Sequence, residues 1–462
     1  MSLFSILGVG ASGLRAATVG VNVTSQNATN AATPGYSRRE VVQDPLPGPP
    51  LGGNGVATRG PVRTVDRFVE RRLLGASAAH AEASARLSAL GPLDDAFSAS
   101  AGLGSALDAF QNAIQALTAA PSDGPTRSQV LSSASALADA FQRTASTLTT
   151  ARSDADAQIT DQVSTANGLL TQIDSLQQQI KKSELGGVEA SDLRDQRDQR
   201  IRDLAKIVPI NVVDGAHGAV NVLLEGGMGL VSADGGTALL GTKPNATTGA
   251  LDVTVSSAGA AAVVTDRLTG GTVGGLIHAR DQELPAASAK LDQLAYDIAT
   301  SYSAAHASGV GLDGGTGRAL FSTSATATGA ATSFAVSTDV LGHPERIAAG
   351  TDPTLVSGDN RNALALSALA TTSITTGGTR TAGDALSDLI ATSGEAVQSA
   401  KRDSDVLGAA ESQATALRSS ISGVSSDDEM VALTQFQRAY DASAKVVQAA
   451  DQMLQTLIAM KT

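Results

Sequence analysis

Leu433, Tyr440, Val447 and Leu454 recur every seven residues near one end of this chain, and Leu7, Leu14, Val21 and Ala28 do so near the other. A seven-residue apolar repeat draws one seam along a helix, and a seam asks for a partner helix. Met430, Phe436, Ala450 and Leu457 widen the C-terminal stripe, while Leu3, Gly10 and Ala17 accompany the N-terminal one. Gly and Ala at such positions let a second backbone come close. Either helix alone is marginal in water, because nucleation is costly and packing supplies most helical stability. Each stripe taken singly reads as a local core helix. Taken together, they predict N- and C-terminal helices paired as a coiled coil. The C-terminal helix should open at Ser426-Asp427-Asp428-Glu429 as a Ser-x-x-Glu capping box. Its carboxylates then suit the positive end of the helix dipole, and Lys461 suits the negative end.

The interior is long enough for real cores, since 462 residues allow two to four domains. A net charge of −12 argues against a nucleic-acid or anionic-membrane surface, which needs clustered Lys and Arg. With no cysteine there is no disulfide, thiolate metal site or cysteine nucleophile. The start Met1-Ser2-Leu3-Phe4-Ser5 lacks the basic region of a cleaved secretory signal, and no apolar run reads as long enough to span a bilayer. A chain of this kind that leaves the cell does so by another route.

The first helix should stop at Thr33-Pro34-Gly35, because proline disfavours helix before it and glycine permits a turn. Residues 44–61 are rich in Pro and Gly and cannot be regular helix. A strand-like entry at Arg63 leads into helix to Ala89. Leu103, Leu107, Phe110, Ile114 and Leu117 mark the next helix. One or two long helices then follow Asp123-Gly124-Pro125, with Val130, Leu137, Phe141, Leu148, Ile159 and their successors at helical spacing. From Val208 the period changes to two, in runs at 208–212, 220–224 and 251–255 separated by glycine-rich turns. Helix returns near Gly274 and runs to His306. A second β-like piece covers 320–347, and a last interior helix reaches Gly423.

Two segments carry a family resemblance. Asn27, Asn30, Thr33, Gly35 and Tyr36 form an Asn-x-x-Asn-x-x-Thr-x-Gly-aromatic signature that resembles the flagellar rod, hook and hook-associated (axial) proteins. Its continuation Ser37-Arg38 is similar to the hook-associated protein 1 family, whose members join hook to filament. Asp192, Leu193, Asp195, Gln196, Arg197 and Asp198 resemble that family's Asp-Leu-x-Asp-Gln-Arg-Asp motif. Read without it, carboxylates three apart share a helical face and raise a metal or acid–base site. The interleaved Arg194, Arg197 and Arg200 favour salt-bridged helix surface instead. His80, His217, His278, His306 and His343 lie far apart, with no His-Glu-x-x-His or Gly-x-Ser-x-Gly among them. The residues therefore point to no enzyme and no cofactor.

The expected architecture is mainly α with a β-rich insert, nested as three layers. Residues 1–36 and 424–462 form the terminal coiled coil. Residues 37–207, 276–310 and 358–423 form a helical domain, and 208–275 with 311–357 a β-rich outer domain. The resemblance implies a structural flagellar subunit, exported through the type III apparatus, that assembles with itself, the hook protein and the next hook-associated protein. It also implies an export chaperone as partner. The alternatives are a hook or distal-rod subunit, expected to lack the 192–198 segment, or an unrelated secreted scaffold or enzyme.

Overall fold

The computed structural model describes residues 3–47, 54–98, 102–257, 260–355 and 357–460. Lys461 and the centre of the Pro/Gly-rich stretch, 48–53, lie outside the described residues. Helix α1 (Leu3–Asn30) ends just before Pro34, as the sequence requires. The Thr33 amide donates back to the Asn30 carbonyl at 2.9 Å, and Gly35 takes φ 83° to reverse the chain. Strands β1 (Arg39–Pro45) and β2 (Val56–Arg63) pair antiparallel, Arg39 opposite Arg63. The described ends of the stretch read as merely extended are thus paired strands.

Helix α2 (Arg67–Phe97) runs through Pro92 instead of stopping near Ala89. Interior proline costs about 3 kcal/mol, and here Leu90 is buried before Pro92 and Leu93 and Phe97 after it. Helix α3 (Leu103–Ala119) buries all five of its expected apolar residues. Next comes α4 (Gly124–Ser183), a single helix of 60 residues whose first turn is capped by Asp123 through the Thr126 amide at 3.0 Å. Then follow α5 (Ser191–Ala205), β3 (Ile210–Asp214), β4 (Val220–Leu224), β5 (Gly229–Val231), β6 (Leu239–Pro244), β7 (Leu251–Ser257) and β8 (Ala260–Val263). Helix α6 (Gly271–His278) passes through one π turn into α7 (Leu284–Ala307). Beyond it lie β9 (Phe321–Ser322), α8 (Ala330–Ser333), β10 (Ala335–Val336), α9 (Arg361–Ala368), α10 (Ala382–Ser422) and α11 (Ser426–Ala459).

Contacts divide the chain into two compact units. The first comprises Met1–Ala81, Gln162–Gly271 and Val406–Thr462. In it β3-β4-β5 and β6-β7-β8 are separate antiparallel sheets. The inward side of β4 reads Val220, Val222, Leu224, every second residue buried. Side-chain amides of α4 bind strand backbone: Asn167 takes both the N–H and the carbonyl of Leu240, each at 2.8 Å. Gln177 accepts from the Val220 amide and donates to the Ser232 carbonyl.

The second unit comprises Glu82–Asp161 and Thr272–Asp405. Phe110 meets Tyr302 and Phe321 edge-on at 5.0 and 5.3 Å, and Phe334 joins Phe321 to Phe141. Residues 311–357 serve this core. Among the described residues they carry two strands of two residues each, not the β-like piece expected, because Phe321 and Phe334 pack onto the other rings and Leu320 and Ile347 are buried beside them in sequence. The compact units therefore cut the chain differently from the expected layers: 208–263 belongs with the chain ends, and 311–357 with α3 and α7. His306 is buried, with Nε2 accepting from the Ala348 amide at 3.0 Å. Its Nδ1 must then carry the proton and donate to the Arg318 carbonyl. Burial holds this imidazole below its ordinary pKa.

Candidate assembly interface

Helix α1 lies antiparallel against α11, and the small residues of the heptad stripe set how close they come. A Cβ on Gly10 would sit 2.7 Å from Val447 Cγ2, and one on Gly20 would sit 2.3 Å from Phe436 Cδ1. Neither position admits a side chain while the partner stays put. Leu3, Leu7, Leu14 and Val21 are half-buried, as are Leu433, Phe436, Val447 and Leu454. Ala17 and Ala450 are fully buried between them. Three of the proposed seam residues stay largely in solvent: Met430 is 64% exposed, Leu457 56% and Tyr440 45%. The other side of α1 is covered by the β1–β2 hairpin, where the Val56 amide donates to Ser12 Oγ at 3.2 Å. By length and composition α1 is apolar enough to cross a bilayer, contrary to the sequence reading, because Gly, Ala and Val raise its hydropathy around a lone Arg15. Here its small-residue side faces a helix.

The signature after α1 is a fold-back held by side chains. Asn27 is buried and binds the Arg39 backbone as a neighbouring strand would: Nδ2 donates to the carbonyl at 2.9 Å, and Oδ1 accepts the amide at 3.1 Å. Tyr36 donates its hydroxyl to the same Oδ1 at 2.9 Å. Thr33 Oγ1 donates to Asn30 Oδ1. A Cβ on Gly35 would meet Gln199 Oε1 at 2.8 Å, so α5 also needs a glycine there. Arg39 stacks over the Tyr36 ring at 4.9 Å, and burial pushes the Tyr36 phenol up.

Glu429 closes this junction from α11. It is 2% exposed, accepts from Arg38 Nε at 2.7 Å and from Asn27 Nδ2 at 3.0 Å. The capping box is consequently not formed: Ser425 is the cap, accepting from the Asp428 amide, and Glu429 is turned inward. The bond to Glu429 raises the Arg38 pKa. Sequence offered a signal for this role, since Glu429 stands four residues before Leu433, in phase with the apolar stripe.

The second motif lies on α5, with two of its polar members buried instead of on the surface. Asp195 accepts from the Ser37 amide and from Arg63 Nη1 at 2.9 Å. Asp198 accepts from Arg63 at 2.9 Å and from Arg197. Arg197 Nη1 donates to the Gly218 carbonyl at 2.6 Å. Exposed Asp192 binds Arg39, and Leu193 is half-buried. Gln196 is exposed with no hydrogen bond among the described residues. Burial opposes ionisation of Asp198, yet Arg197 and Arg63 outweigh it and hold the carboxyl below its usual range. Arg63, on β2, is the residue that sequence reading missed. Glu70 extends the network by joining Arg202 to Arg418, which also donates to the Gly35 carbonyl. Every acid here faces arginine or backbone amide, an arrangement that positions chain. Among the described residues no group of three or more His, Asp or Glu is placed to hold a metal.

Residues 90–321 match the family model described as the flagellar hook-associated protein FlgK helical domain, and 418–460 match that of the flagellar basal body rod FlgEFG protein C-terminal. The flagellar hook-associated protein 1 of Salmonella typhimurium is 29% identical over 327 residues, covering 69% of this chain. That match spans 59% of the Salmonella protein's own length. The protein of that name from Escherichia coli is 25% identical, covering 98% of this chain and 99% of its own. The Bacillus subtilis one is 29% identical, covering 96% of each. The solved flagellar hook junction protein FlgK of Burkholderia pseudomallei shares the fold, with a TM-score of 0.69 at 18% identity, over 76% of this chain and 100% of that one.

Proposed function

Because this chain belongs to the flagellar hook-associated protein family defined by the FlgK helical domain, we propose that it is a non-enzymatic structural subunit of the bacterial flagellum, forming the junction between hook and filament. It passes through the flagellar type III apparatus and assembles through its terminal helices as a coiled coil. Its partners are further copies of itself, the hook protein, the next hook-associated protein on the filament side and an export chaperone. It needs no cofactor, nucleic acid or membrane.

One observation carries this reading: pairing with α1 covers only one side of α11. Ala442, Val446, Ala449, Met453 and Leu457 follow one another at steps of three or four and are all exposed. They form a second apolar stripe beside the first. In water such a stripe brings an isolated monomer nothing. In a layer of copies each large apolar side chain buried contributes about 1.5–3 kcal/mol. The seam residues Met430 and Tyr440, exposed here, have the same use.

The test is immunoblotting of sheared flagella, medium and cytosol. The protein is expected in the sheared fraction, at the distal end of hooks. Removal of residues 426–462 should leave it in the medium and release filament subunits there too. Finding the intact protein only in cytosol overturns the reading. The match of 418–460 to a rod-protein C-terminus favours a rod or hook subunit as the alternative, which labelling along the hook or in the basal body would select.

A further inference from the structure

The first unit also holds a cleft of about 490 Å³, between the start of α2, helix α5 and the β3–β4 hairpin. That volume lies in the range of small-ligand sites. Its floor is apolar, made by Leu74, Ile201, Ala219 and Val220, all buried. Its walls carry six arginines and four carboxylates, a local positive excess in a chain of net charge −12. Most of these guanidinium groups are already committed. Arg63, Arg194 and Arg197 bind carboxylates next to or on α5, and Arg202 binds Glu70. Arg67 pairs with Asp214 across α2 and β3, but both side chains are exposed and such a pair is weakly held. Arg71 is exposed and has no hydrogen-bond or ion-pair partner among the described residues. One planar fork is therefore left over, beside an apolar floor. A guanidinium fork prefers a carboxylate, which it takes bidentately.

We propose that this cleft binds an acidic, apolar peptide segment of a partner protein, with Arg71 forking onto a carboxylate and the adjacent aliphatic side chain seated on Leu74, Ile201 and Val220. The partner's side chain enters beside the Arg67–Asp214 pair, which opens at little cost. Because Arg71 stands on the surface and holds nothing in place, changing it leaves the fold intact. Nothing in the site depends on flagellar localisation.

The experiment uses the full-length purified chain and a fluorescent, N-acetylated Leu-Glu-Leu-Glu amide, followed by anisotropy at low salt. Leu-Gln-Leu-Gln amide is the neutral probe. Saturable binding of the acidic peptide is expected, at least tenfold weaker for the neutral one and weakening as salt rises. Arg71→Glu should abolish it and Arg71→Gln should weaken it about tenfold, while Arg143→Glu, an exposed change in the other unit, leaves it unchanged. Circular dichroism checks that each variant melts as the parent does, and Arg71→Gln serves if Arg71→Glu does not. No saturable binding to the parent, equal binding of both peptides, or equal loss in Arg143→Glu overturns the proposal.

Discussion

Phe110 touches Tyr302 and Phe321 edge-on and is fully buried, whereas Phe436 lies over Gly20 and remains half exposed. The first belongs to a core complete within one unit, built of large rings whose neighbours come from α3, α7 and the 311–357 segment. The second belongs to a helix pair packed through glycine and alanine, with apolar side chains left on its flank. Large side chains buried on all sides stabilise a monomer. Small residues at the contact and large ones outside it leave apolar surface uncovered by the pair itself. One chain thus carries a region whose packing closes within itself and a region with large apolar side chains left on its flank.

The largest effect should come from breaking the region that closes within itself. Phe110→Ala is expected to destabilise by about 3–5 kcal/mol, the usual loss for a buried phenylalanine. Differential scanning calorimetry should show the second unit's transition fall by many degrees, and limited proteolysis should find the terminal helices cleaved no faster than before. Cleavage accelerated equally in both regions would mean that the two do not melt separately.

Gly20→Val reverses the contrast. The new side chain collides with Phe436, and overpacking costs about 1–3 kcal/mol. Proteolysis is expected to trim residues before Ser37 and after Gly423 faster, while the calorimetric transition of the aromatic core stays where it was. Unchanged trimming would show that α1 and α11 are not held together by this contact.

Acid separates the regions by chemistry. The His306 pKa is lowered in the folded state, so its contribution is complete above about 6.5, its unfolded value, and fades as pH falls through that value toward the folded one. Asp198 is also lowered, but from 3.8, so its contribution persists until pH drops below about 4. Between pH 7.5 and 5.5 the urea midpoint of the aromatic unit should fall, and it should fall less in His306→Asn. An equal pH dependence in that variant would remove His306 from the account. The smallest effect on stability belongs to Val446→Asp, on the exposed flank: within about 0.5 kcal/mol by denaturant titration, yet with loss of incorporation into flagella. Normal incorporation would leave the flank without a role.

Much of this division is legible in sequence, but unevenly. The heptads placed both terminal helices, since a period of seven survives any surroundings. The expected residues of α4, from Val130 to Ile180, are all buried, because a 60-residue helix repeats its signal many times. The role of Asn27 was not readable. An asparagine at a helix exit looks like any cap, and its true partner is the backbone of Arg39, which no side-chain pattern announces. Glu429 was read as a capping residue because the local rule was satisfied. A half-buried arginine and a buried amide on a distant segment outcompeted that rule. The 320–347 stretch misled for a related reason. Phe321 and Phe334 lie in it, and their destination is Phe110 and Phe141, set by chain far earlier in the sequence.

The bond from Asn27 to Glu429 joins residues 402 apart, and that separation dictates an order of events. Closing an unstructured loop of this length forfeits about 5 kcal/mol of chain entropy in the ideal limit. No single amide–carboxylate contact offsets such a loss, so the two ends meet only after the intervening helices and sheets have shortened the effective tether. For a chain delivered in one direction, α1 waits through nearly the whole of delivery with its glycine side bare. The contact between Asn27 and Glu429 is then a record that everything between them has already arrived.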